Sequence, residues 1–281
     1  MLARIINHPR RWAGLELTTP LVMGIVNVTP DSFSGDGTLA DVNVAIAQGR
    51  AMLAAGADII DIGGESTRPG AHPVAPTEEI RRVVPVVQAL TAAGAVVSVD
   101  TRNAATMAAA LDAGARIIND VSALRHDPEA AGVIAARGCP IVLMHMRGTP
   151  ATMGSMTHYA DLTSEILDEL AARREAACAA GIAPDCIALD PGFGFAKTGE
   201  QNVALLRSLE RFCALGHPVL IGVSRKRFIG ELANEANPRQ RDAGSIAATL
   251  FAVRHGAAIV RVHDVASMVQ ALRVWRALEP G

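Results

Sequence analysis

The chain has 281 residues, of which 50% are hydrophobic and 3% aromatic, and its formal net charge is −2. This length suits one large domain, and a core of small aliphatic side chains suits a parallel sheet buried on both faces. The nearly neutral charge argues against nucleic-acid binding, which needs a basic surface. The N-terminal residues lack the apolar core of a signal peptide, and no apolar run approaches the roughly 20 residues of a membrane span. We therefore expect a cytoplasmic protein that does not act at a membrane.

Cysteine and histidine spacings do not suggest a zinc site. The four cysteines show no CxxC spacing, and the histidines show no HxH or HExxH pattern. The cysteines are therefore expected to be reduced and mostly buried thiols, as in a cytosolic protein.

Eight short apolar runs recur along the chain, and nearly every one ends in a polar or charged group. The runs are Val22–Val26, 59–62, Val96–Val99, 116–118, Ile141–Met144, Ile187–Leu189, Val219–Val223 and Ala258–Val260. Eight strands with chemistry at their C-terminal ends are typical of a (β/α)8 barrel, whose active site lies on that face. A flavodoxin-like doubly wound sheet would usually need only five or six strands. We predict the α/β class and a single TIM barrel spanning residues 1–281.

The segments between the runs read as helices that end in glycine. A glycine precedes each strand from the second to the eighth, where it can end a helix in the left-handed conformation. The first such helix is predicted for Asp41–Ala55, with Asp41 as N-cap. The residues expected to face the sheet are Val44, Ala47, Ala51, Leu53 and Ala54. Residues 1–19 are expected to close the barrel bottom, with a small hairpin formed by Arg4–Asn7 and Leu15–Thr18.

The loops after the first two strands are rich in glycine and polar residues. The first runs from Asn27 to Gly37 and could act as a lid, with the amide oxygen of Asn27 as a ligand for Mg²⁺. The second, 63–70, places Thr67 and Arg68 between glycine and proline hinges, where they could donate to an anion. A mobile surface loop is the simpler interpretation of each, but both follow predicted barrel strands.

Asp100, Asn119 and Asp190 each end an aliphatic strand and should point into the barrel mouth. A single residue of this kind is often a helix N-cap. Three together could accept hydrogen bonds from the N–H groups of a flat heterocycle, and such a site rejects analogues that lack those donors. The following loop brings Phe195 near the mouth, where it could pack against an aryl ring.

A basic group follows the last two strands, which commonly form the phosphate site of such barrels. Residues 224–227 contribute Lys226 and its neighbouring arginines, and the eighth strand contributes Arg261 and His263. The last two alternate along the strand and therefore share one face. His145, between two methionines, is expected to pack in the core or to support the site from behind.

These motifs resemble the dihydropteroate synthase family of folate biosynthesis. The resemblance covers NVTPDSF (27–33), GGESTRPG (63–70), IINDV (117–121), LDPGFGF (189–195), SRK (224–226) and RVHDV (261–265), in that order. It implies a (β/α)8 barrel that condenses 6-hydroxymethyl-7,8-dihydropterin diphosphate with 4-aminobenzoate. It also implies Mg²⁺ as cofactor, a homodimer and inhibition by sulfonamides. Val269, Leu272 and Trp275 on the last helix could form the dimer contact or could cover the barrel.

The resemblance assigns roles to individual residues. It implies catalytic roles for Lys226, Arg261, His263 and Asp100. Asp100, Asn119, Asp190 and Lys226 would hold the pterin; Asn27, Thr67, Arg261 and His263 would hold the diphosphate, with Asn27 on Mg²⁺. Phe33, Arg68, Pro69, Phe195 and the helix start after Lys226 would form the aminobenzoate pocket. We expect an SN1-like loss of diphosphate without a protein nucleophile, in loops that exclude water.

Two positions depart from the family pattern. The first loop reads Ser34-Gly35-Asp36-Gly37, which displaces the acidic residue by one position relative to the common Ser-Asp-Gly-Gly. Position 227 is Arg where some relatives have Ser.

Two other functions compete with this interpretation. A pterin-binding methyltransferase would share the pterin residues but would not need the diphosphate group, and this chain lacks a corrinoid-binding Asp-x-His-x-x-Gly pattern. A catalytically silent pterin-binding paralogue should have lost loop or diphosphate residues, which are present here apart from the exchange at Gly35 and Asp36.

Overall fold

The computed structural model describes residues 8–29, 39–67 and 70–278, with no side-chain detail for 39–41. Its strands are β1 (Arg11–Trp12), β2 (Leu15–Glu16), β3 (Leu21–Asn27), β4 (Ile59–Gly63), β5 (Val97–Asp100), β6 (Ile117–Asp120), β7 (Ile141–Met144), β8 (Ile187–Asp190), β9 (Leu220–Ile221) and β10 (Ile259–Val262). Its α-helices are α1 (Leu39–Ala54), α2 (Pro76–Ala92), α3 (Ala104–Asp112), α4 (Ala130–Arg137), α5 (Leu162–Ala179), α6 (Gly199–Arg207), α7 (Leu209–Cys213), α8 (Arg227–Ala233), α9 (Asp242–Arg254) and α10 (Val265–Leu278).

Strands β3 to β10 form one parallel sheet in the order β8-β7-β6-β5-β4-β3-β10-β9. An isolated parallel bridge between Leu189 and Val219 joins the two ends of this order, so the sheet is a nearly closed barrel. Each strand is connected to the next through helix, as the alternating pattern predicts. The predicted (β/α)8 barrel is therefore confirmed, and each of the eight apolar runs overlaps one barrel strand.

The alternation of side chains along each strand divides the core into two parts. One set points outward and packs beneath the helices, as Ile60, Val99 and Leu143 do. The other points inward and fills the lower barrel, as Met23, Ile117 and Ile259 do. Above this apolar layer the inward positions become polar, so the chemistry begins inside the barrel.

The N-terminal segment packs under the barrel. Strands β1 and β2 form an antiparallel hairpin, with Arg11 opposite Glu16. Trp12 is buried with the inward-facing residues of the lower barrel, and its indole N–H donates to the carbonyl of Cys186 at 3.1 Å. The first strand of this hairpin is not Arg4–Asn7, which lies outside the described residues.

The helix ends follow the sequence prediction more closely than the helix faces do. Positive φ angles occur at all seven glycines that precede barrel strands: Gly56, Gly94, Gly114, Gly138, Gly181, Gly216 and Gly256. The predicted face of α1 was correct for Leu53, which packs partly buried against the core. It was wrong for Val44, Ala47, Ala51 and Ala54, which are exposed, while Ala45 and Met52 are buried instead. The predicted N-cap, Asp41, lies inside α1. An alanine-rich helix carries too little apolar contrast to set its rotation.

Helix α10 packs against the barrel through the three side chains for which the sequence left two roles open, a dimer contact or a cover for the barrel. Leu272 is buried, and Val269 and Trp275 are partly buried against the core. Val274 and Leu278 are the large apolar side chains that this helix exposes. Within residues 8–29, 39–67 and 70–278, no helix is both long and apolar enough to cross a membrane.

Candidate active site

A polar cluster of four side chains lies above the apolar layer of the barrel. Arg261 on β10 donates through Nε to Asp61 Oδ2 at 2.6 Å and through Nη2 to Asp100 Oδ2 at 2.8 Å. The amide of Asn119 donates to the same Asp61 oxygen at 3.2 Å. One inward side chain from each of β4, β5, β6 and β10 therefore meets the others here. We call these four side chains the Arg261 cluster (Asp61, Asp100, Asn119, Arg261).

The buried charges of this cluster shift the pKa of Asp100. Burial chiefly, and the neighbouring Asp61 to a lesser extent, raise this pKa to about 7 against the attraction of Arg261. Burial would lower the pKa of Arg261, but Asp61 and Asp100 outweigh it and keep the guanidinium charged. The mouth thus holds a fixed cation and a carboxyl group that changes charge near neutral pH.

Asp190 and Lys226 form a second, oppositely charged pair in the same mouth. Burial raises the pKa of Asp190, and the attraction of Lys226 opposes this. Burial lowers the pKa of Lys226 to about 8, and Asp190 and Asp100 oppose this. The Lys226 amine donates to the carbonyl of Phe193 and lies 4.8 Å from the centre of the Phe195 ring. The predicted pterin residues and Phe195 are thus neighbours.

A buried lysine holds the loop after β8 in place. Lys197 Nζ donates to the carbonyls of Gly192 at 3.0 Å and Phe195 at 2.9 Å, and lies 3.0 Å from His145 Nδ1. Burial lowers the pKa of Lys197 to about 7. A Cβ atom at Gly192, whose φ is +73°, would come within 1.9 Å of the His145 carbonyl oxygen. The loop that carries Phe195 is therefore closely fixed by packing and hydrogen bonds.

His145 supports this loop from behind. Its Nε2 lies 3.0 Å from Glu169 Oε2 on α5, and its other ring nitrogen faces Lys197. Burial lowers the pKa of His145 to about 4, against the hydrogen bond to the Glu169 carboxylate, which raises it. This is the supporting role that the sequence left open beside simple packing.

The basic group after β9 divides between the site and the outside of the barrel. Ser224 Oγ lies 3.0 Å from His263 Nδ1 and accepts from the His263 backbone N–H at 3.2 Å. Arg225 instead pairs with Asp242 at 2.7 Å, and Arg227 has an 80% exposed side chain that pairs with Glu231 at 3.1 Å. The expectation that the arginines beside Lys226 belong to this basic group was therefore wrong, because Arg225 and Arg227 pair outside the mouth.

The second loop is anchored by a buried ion pair. Arg102 Nη2 donates to Glu65 Oε1 at 2.8 Å, and both side chains are almost fully buried. Arg82 on α2 donates to the Gly64 carbonyl at 2.9 Å. Thr67 follows this anchor and is partly exposed. The neighbouring Arg68 and Pro69 lie outside the described residues.

Asn27 ends β3 at the same edge of the barrel. It stands opposite Gly63 in the sheet register, and its Oδ1 would lie 3.5 Å from a Cβ atom built on that glycine. The absence of a side chain at Gly63 leaves room beside the amide oxygen. Phe33, Gly35 and Asp36 in the rest of the first loop lie outside the described residues.

Three residues of the site region were missed in the sequence. In the sequence, Asp61 lies within an apolar run, Glu65 lies within a longer loop motif, and Lys197 follows two phenylalanines, so none of the three was singled out. One signal could have found Lys197: the chain has two lysines among its 26 Lys and Arg residues. Lysine and arginine are not interchangeable at buried sites, so both lysines of an arginine-rich chain merit attention.

Comparisons with known proteins agree with this geometry. The sequence model of the family described as pterin binding enzyme matches residues 23–263. The dihydropteroate synthase of Neisseria meningitidis serogroup B is 49% identical over 268 residues, which are 93% of this chain and 94% of the relative.

Solved structures give the same result for the fold. A dihydropteroate synthase of Xanthomonas albilineans with 4-aminobenzoic acid has a TM-score of 0.90 and 51% identity, covering 95% of this chain and 97% of that chain. A structure of the enzyme from the same organism in complex with 7,8-dihydropteroate has a TM-score of 0.86 and 48% identity, with coverage of 95% and 97%.

Proposed function

The chain belongs to the dihydropteroate synthases of the pterin-binding enzyme family, and we propose that it makes 7,8-dihydropteroate. The substrates are 6-hydroxymethyl-7,8-dihydropterin diphosphate and 4-aminobenzoate, and diphosphate is the second product. The observation that carries this proposal is the barrel mouth, where hydrogen-bond acceptors for a heterocycle adjoin cations for a phosphate group. A pterin-binding methyltransferase would need the acceptors without the second group.

The pterin is held by Asp100, Asn119, Asp190 and Lys226. Three of these present oxygen atoms at the ends of β5, β6 and β8, where a flat ring bearing N–H groups can lie across the barrel. Lys226 adds a donor and lies between Asp190 and Phe195. Every acceptor left without a donor in this buried mouth costs free energy, which gives the site its specificity.

The diphosphate lies beside the pterin, against Asn27, Thr67, Arg261 and His263. Arg261 is held rigidly by Asp61 and Asp100, so its charge is already in position when the leaving group develops negative charge. His263 is oriented by Ser224. Thr67 follows the loop segment anchored by Glu65 and Arg102.

Magnesium fits this site through a single protein oxygen. No group of three or more His, Cys, Asp or Glu residues that could hold a metal occurs among residues 8–29, 39–67 and 70–278. Asn27 offers one amide oxygen with open space beside it, and Mg²⁺ usually binds through few protein ligands together with substrate phosphates and water. When bound, the ion would neutralise charge on the diphosphate.

The aminobenzoate binds where the Phe195 loop meets Lys226. Phe195 supplies an aromatic surface and is fixed by the Lys197 hydrogen bonds. Phe33, Arg68 and Pro69 complete the pocket in the proposal, together with the start of α8.

The reaction follows an SN1-like path. The C–O bond to diphosphate breaks first, and its electron pair leaves with the diphosphate toward Arg261 and His263. The electron-rich dihydropterin delocalises the positive charge left on the methylene carbon. The aminobenzoate nitrogen then bonds to that carbon and loses a proton, so no protein nucleophile is needed. Exclusion of water by the loops protects the cationic carbon.

Assembly and location follow the family. We propose a cytoplasmic homodimer that acts on small molecules, without nucleic-acid or membrane partners. Val274 and Leu278, which are exposed on α10, would lie in or beside the dimer contact.

The deciding experiment measures diphosphate release from the pterin substrate with Mg²⁺, with and without 4-aminobenzoate. Release that depends on the amine and yields dihydropteroate supports the proposal. Tight pterin binding without turnover would identify a silent paralogue. A protein that neither binds nor turns over this substrate would contradict the assignment and favour the methyltransferase.

A further inference from the structure

Asp61 is a fully buried charged residue of the barrel mouth, and none of the roles above requires it to touch substrate. It is completely buried on β4, below the level of Asp100 and Asn119. Its Oδ2 accepts from both Arg261 and Asn119. Within the described part of the chain, its Oδ1 has no hydrogen-bond partner.

This placement is unfavourable for stability alone. A buried carboxylate loses its hydration, and an unpartnered buried oxygen adds to that cost. Apolar residues of similar size in place of a buried ion pair are often neutral or stabilising. The inward neighbours in the layer below Asp61 are aliphatic, so apolar residues in place of both Asp61 and Arg261 would extend the existing core. The Asp61 carboxylate therefore costs folding free energy at a position where packing alone does not require a charged side chain.

The geometry shows what Asp61 supplies. A carboxylate oxygen can only accept, so the Asn119 side chain must turn its NH₂ group toward Asp61. The amide oxygen of Asn119 is then the group that it can offer to a ligand. The same Asp61 oxygen binds Arg261 Nε, which fixes the plane of the guanidinium.

We infer that Asp61 is a positioning residue that makes Asn119 an acceptor for a pterin N–H and holds Arg261 in register with the leaving group. The inference rests on the proposed function, since it assigns the orientation of two of its binding residues. It predicts that Asp61 acts on ligand recognition through its neighbours, without touching the substrate itself.

The first test compares Asp61→Leu, Asp61→Asn and wild type for binding of 6-hydroxymethyl-7,8-dihydropterin and for turnover. Leucine removes the acceptor, and we expect a loss of pterin affinity and kcat/KM of about tenfold to a hundredfold. The melting temperature should fall, because Arg261 loses one of its two carboxylate partners. Asparagine can keep an oxygen in the Oδ2 position and is expected to retain affinity within about fivefold. A matched control is Ser98→Ala, which removes a buried hydroxyl at the position paired with Asp61 in β5. It should leave affinity unchanged.

A double-mutant cycle tests whether Asp61 works through Asn119. If it does, adding Asp61→Leu to an Asn119→Ala variant should lower pterin affinity by about threefold or less, because the side chain that Asp61 orients is already absent. If the double variant instead loses pterin affinity by the product of the two single-variant losses, the inference is wrong. Wild-type affinity in Asp61→Leu, or an equal loss in Asp61→Leu and Asp61→Asn, would also overturn it.

A measurement on the wild type makes the inference testable even if Asp61→Leu does not fold. The side-chain NH₂ protons of Asn119, held at Asp61, should exchange with water at least about tenfold more slowly than those of exposed Asn43. Equal exchange would contradict the orientation. An inactive wild type would instead count against the proposed function and is separate from these outcomes.

Discussion

Arg261 and Asp100 meet across the barrel mouth, although two strands separate β10 from β5 in the sheet. The guanidinium Nη2 donates to Asp100 Oδ2 at 2.8 Å while Nε is held by Asp61 at 2.6 Å. A single planar cation, proposed to hold the diphosphate, thus bonds to the carboxylate that is proposed to hold the pterin. In the proposed function, recognition of the pterin ring and stabilisation of the leaving group therefore depend on the same geometry.

Replacing Arg261 with lysine should separate charge from geometry. Lysine keeps a positive charge but cannot bond two carboxylates with a planar fork. We expect kcat/KM for the pterin diphosphate to fall by about 10²-fold to 10³-fold, in the range for removal of one oriented charge-stabilising donor. Steady-state kinetics would measure it, with Arg137→Lys as control because that exposed side chain on α4 pairs with Asp112 on α3 and takes no part in the proposed site. Near-normal activity of Arg261→Lys would mean that charge alone suffices.

Much of the barrel could be predicted from the sequence, because strand periodicity and the glycine that ends each helix are local signals. The side-chain contacts of the mouth could not be predicted, because they join residues as far apart as Asp61 and Arg261. Asp61 also alternates with isoleucines that face outward, so an apolar run concealed an inward carboxylate. Arg225 adjoins Lys226 in sequence yet turns to Asp242, which a count of basic residues does not show.

Activity should show a bell-shaped dependence on pH. The pKa of Asp100 is raised to about 7 chiefly by burial, so this carboxyl group becomes a full acceptor only as pH rises through that value. The pKa of Lys226 is lowered to about 8, so its charge is lost above it. We expect kcat/KM for the pterin diphosphate to rise toward pH 7 and fall beyond pH 8 in the free enzyme.

The two limbs of that profile can be assigned with variants. Asp100→Asn should lower activity and remove the acidic limb, and Lys226→Arg should move the alkaline limb upward because arginine stays protonated. The two groups interact, so the measured values belong to the pair. A profile that is flat between pH 6 and 9 would contradict this account.

Lys197→Met should weaken aminobenzoate binding more than pterin binding. The substitution keeps a long apolar stem but removes the donor shared by the Gly192 and Phe195 carbonyls. A freed Phe195 loop should raise KM for 4-aminobenzoate by about tenfold, equivalent to the loss of one buried hydrogen bond, with a small change for the pterin substrate. The two KM values measured on one preparation provide the comparison. An equal rise in both would point to a general loss of structure.

Lys226 should be the lysine that amine-selective reagents modify. Its lowered pKa supplies neutral amine near pH 8, and it is partly exposed, whereas Lys197 is buried. Since the chain has only these two lysines, mass spectrometry of acetylated protein gives the site directly. Modification should inactivate the enzyme, and 6-hydroxymethyl-7,8-dihydropterin should protect it. Labelling of Lys226 that the pterin does not slow would contradict its place in the pterin site.

Sulfonamides should inhibit in competition with 4-aminobenzoate. The two molecules share an aniline ring with an acidic group opposite the amine, so both suit a pocket beside Phe195. Because the proposed aminobenzoate pocket adjoins the proposed pterin site, the affinity for the inhibitor should rise when pterin and diphosphate are bound. The inhibitor should then raise the affinity for these ligands by the same factor. Inhibition kinetics with sulfamethoxazole at several aminobenzoate concentrations would measure this. Lys197→Met should weaken the inhibitor and aminobenzoate together, and a variant that weakened only one would show that they use different surfaces.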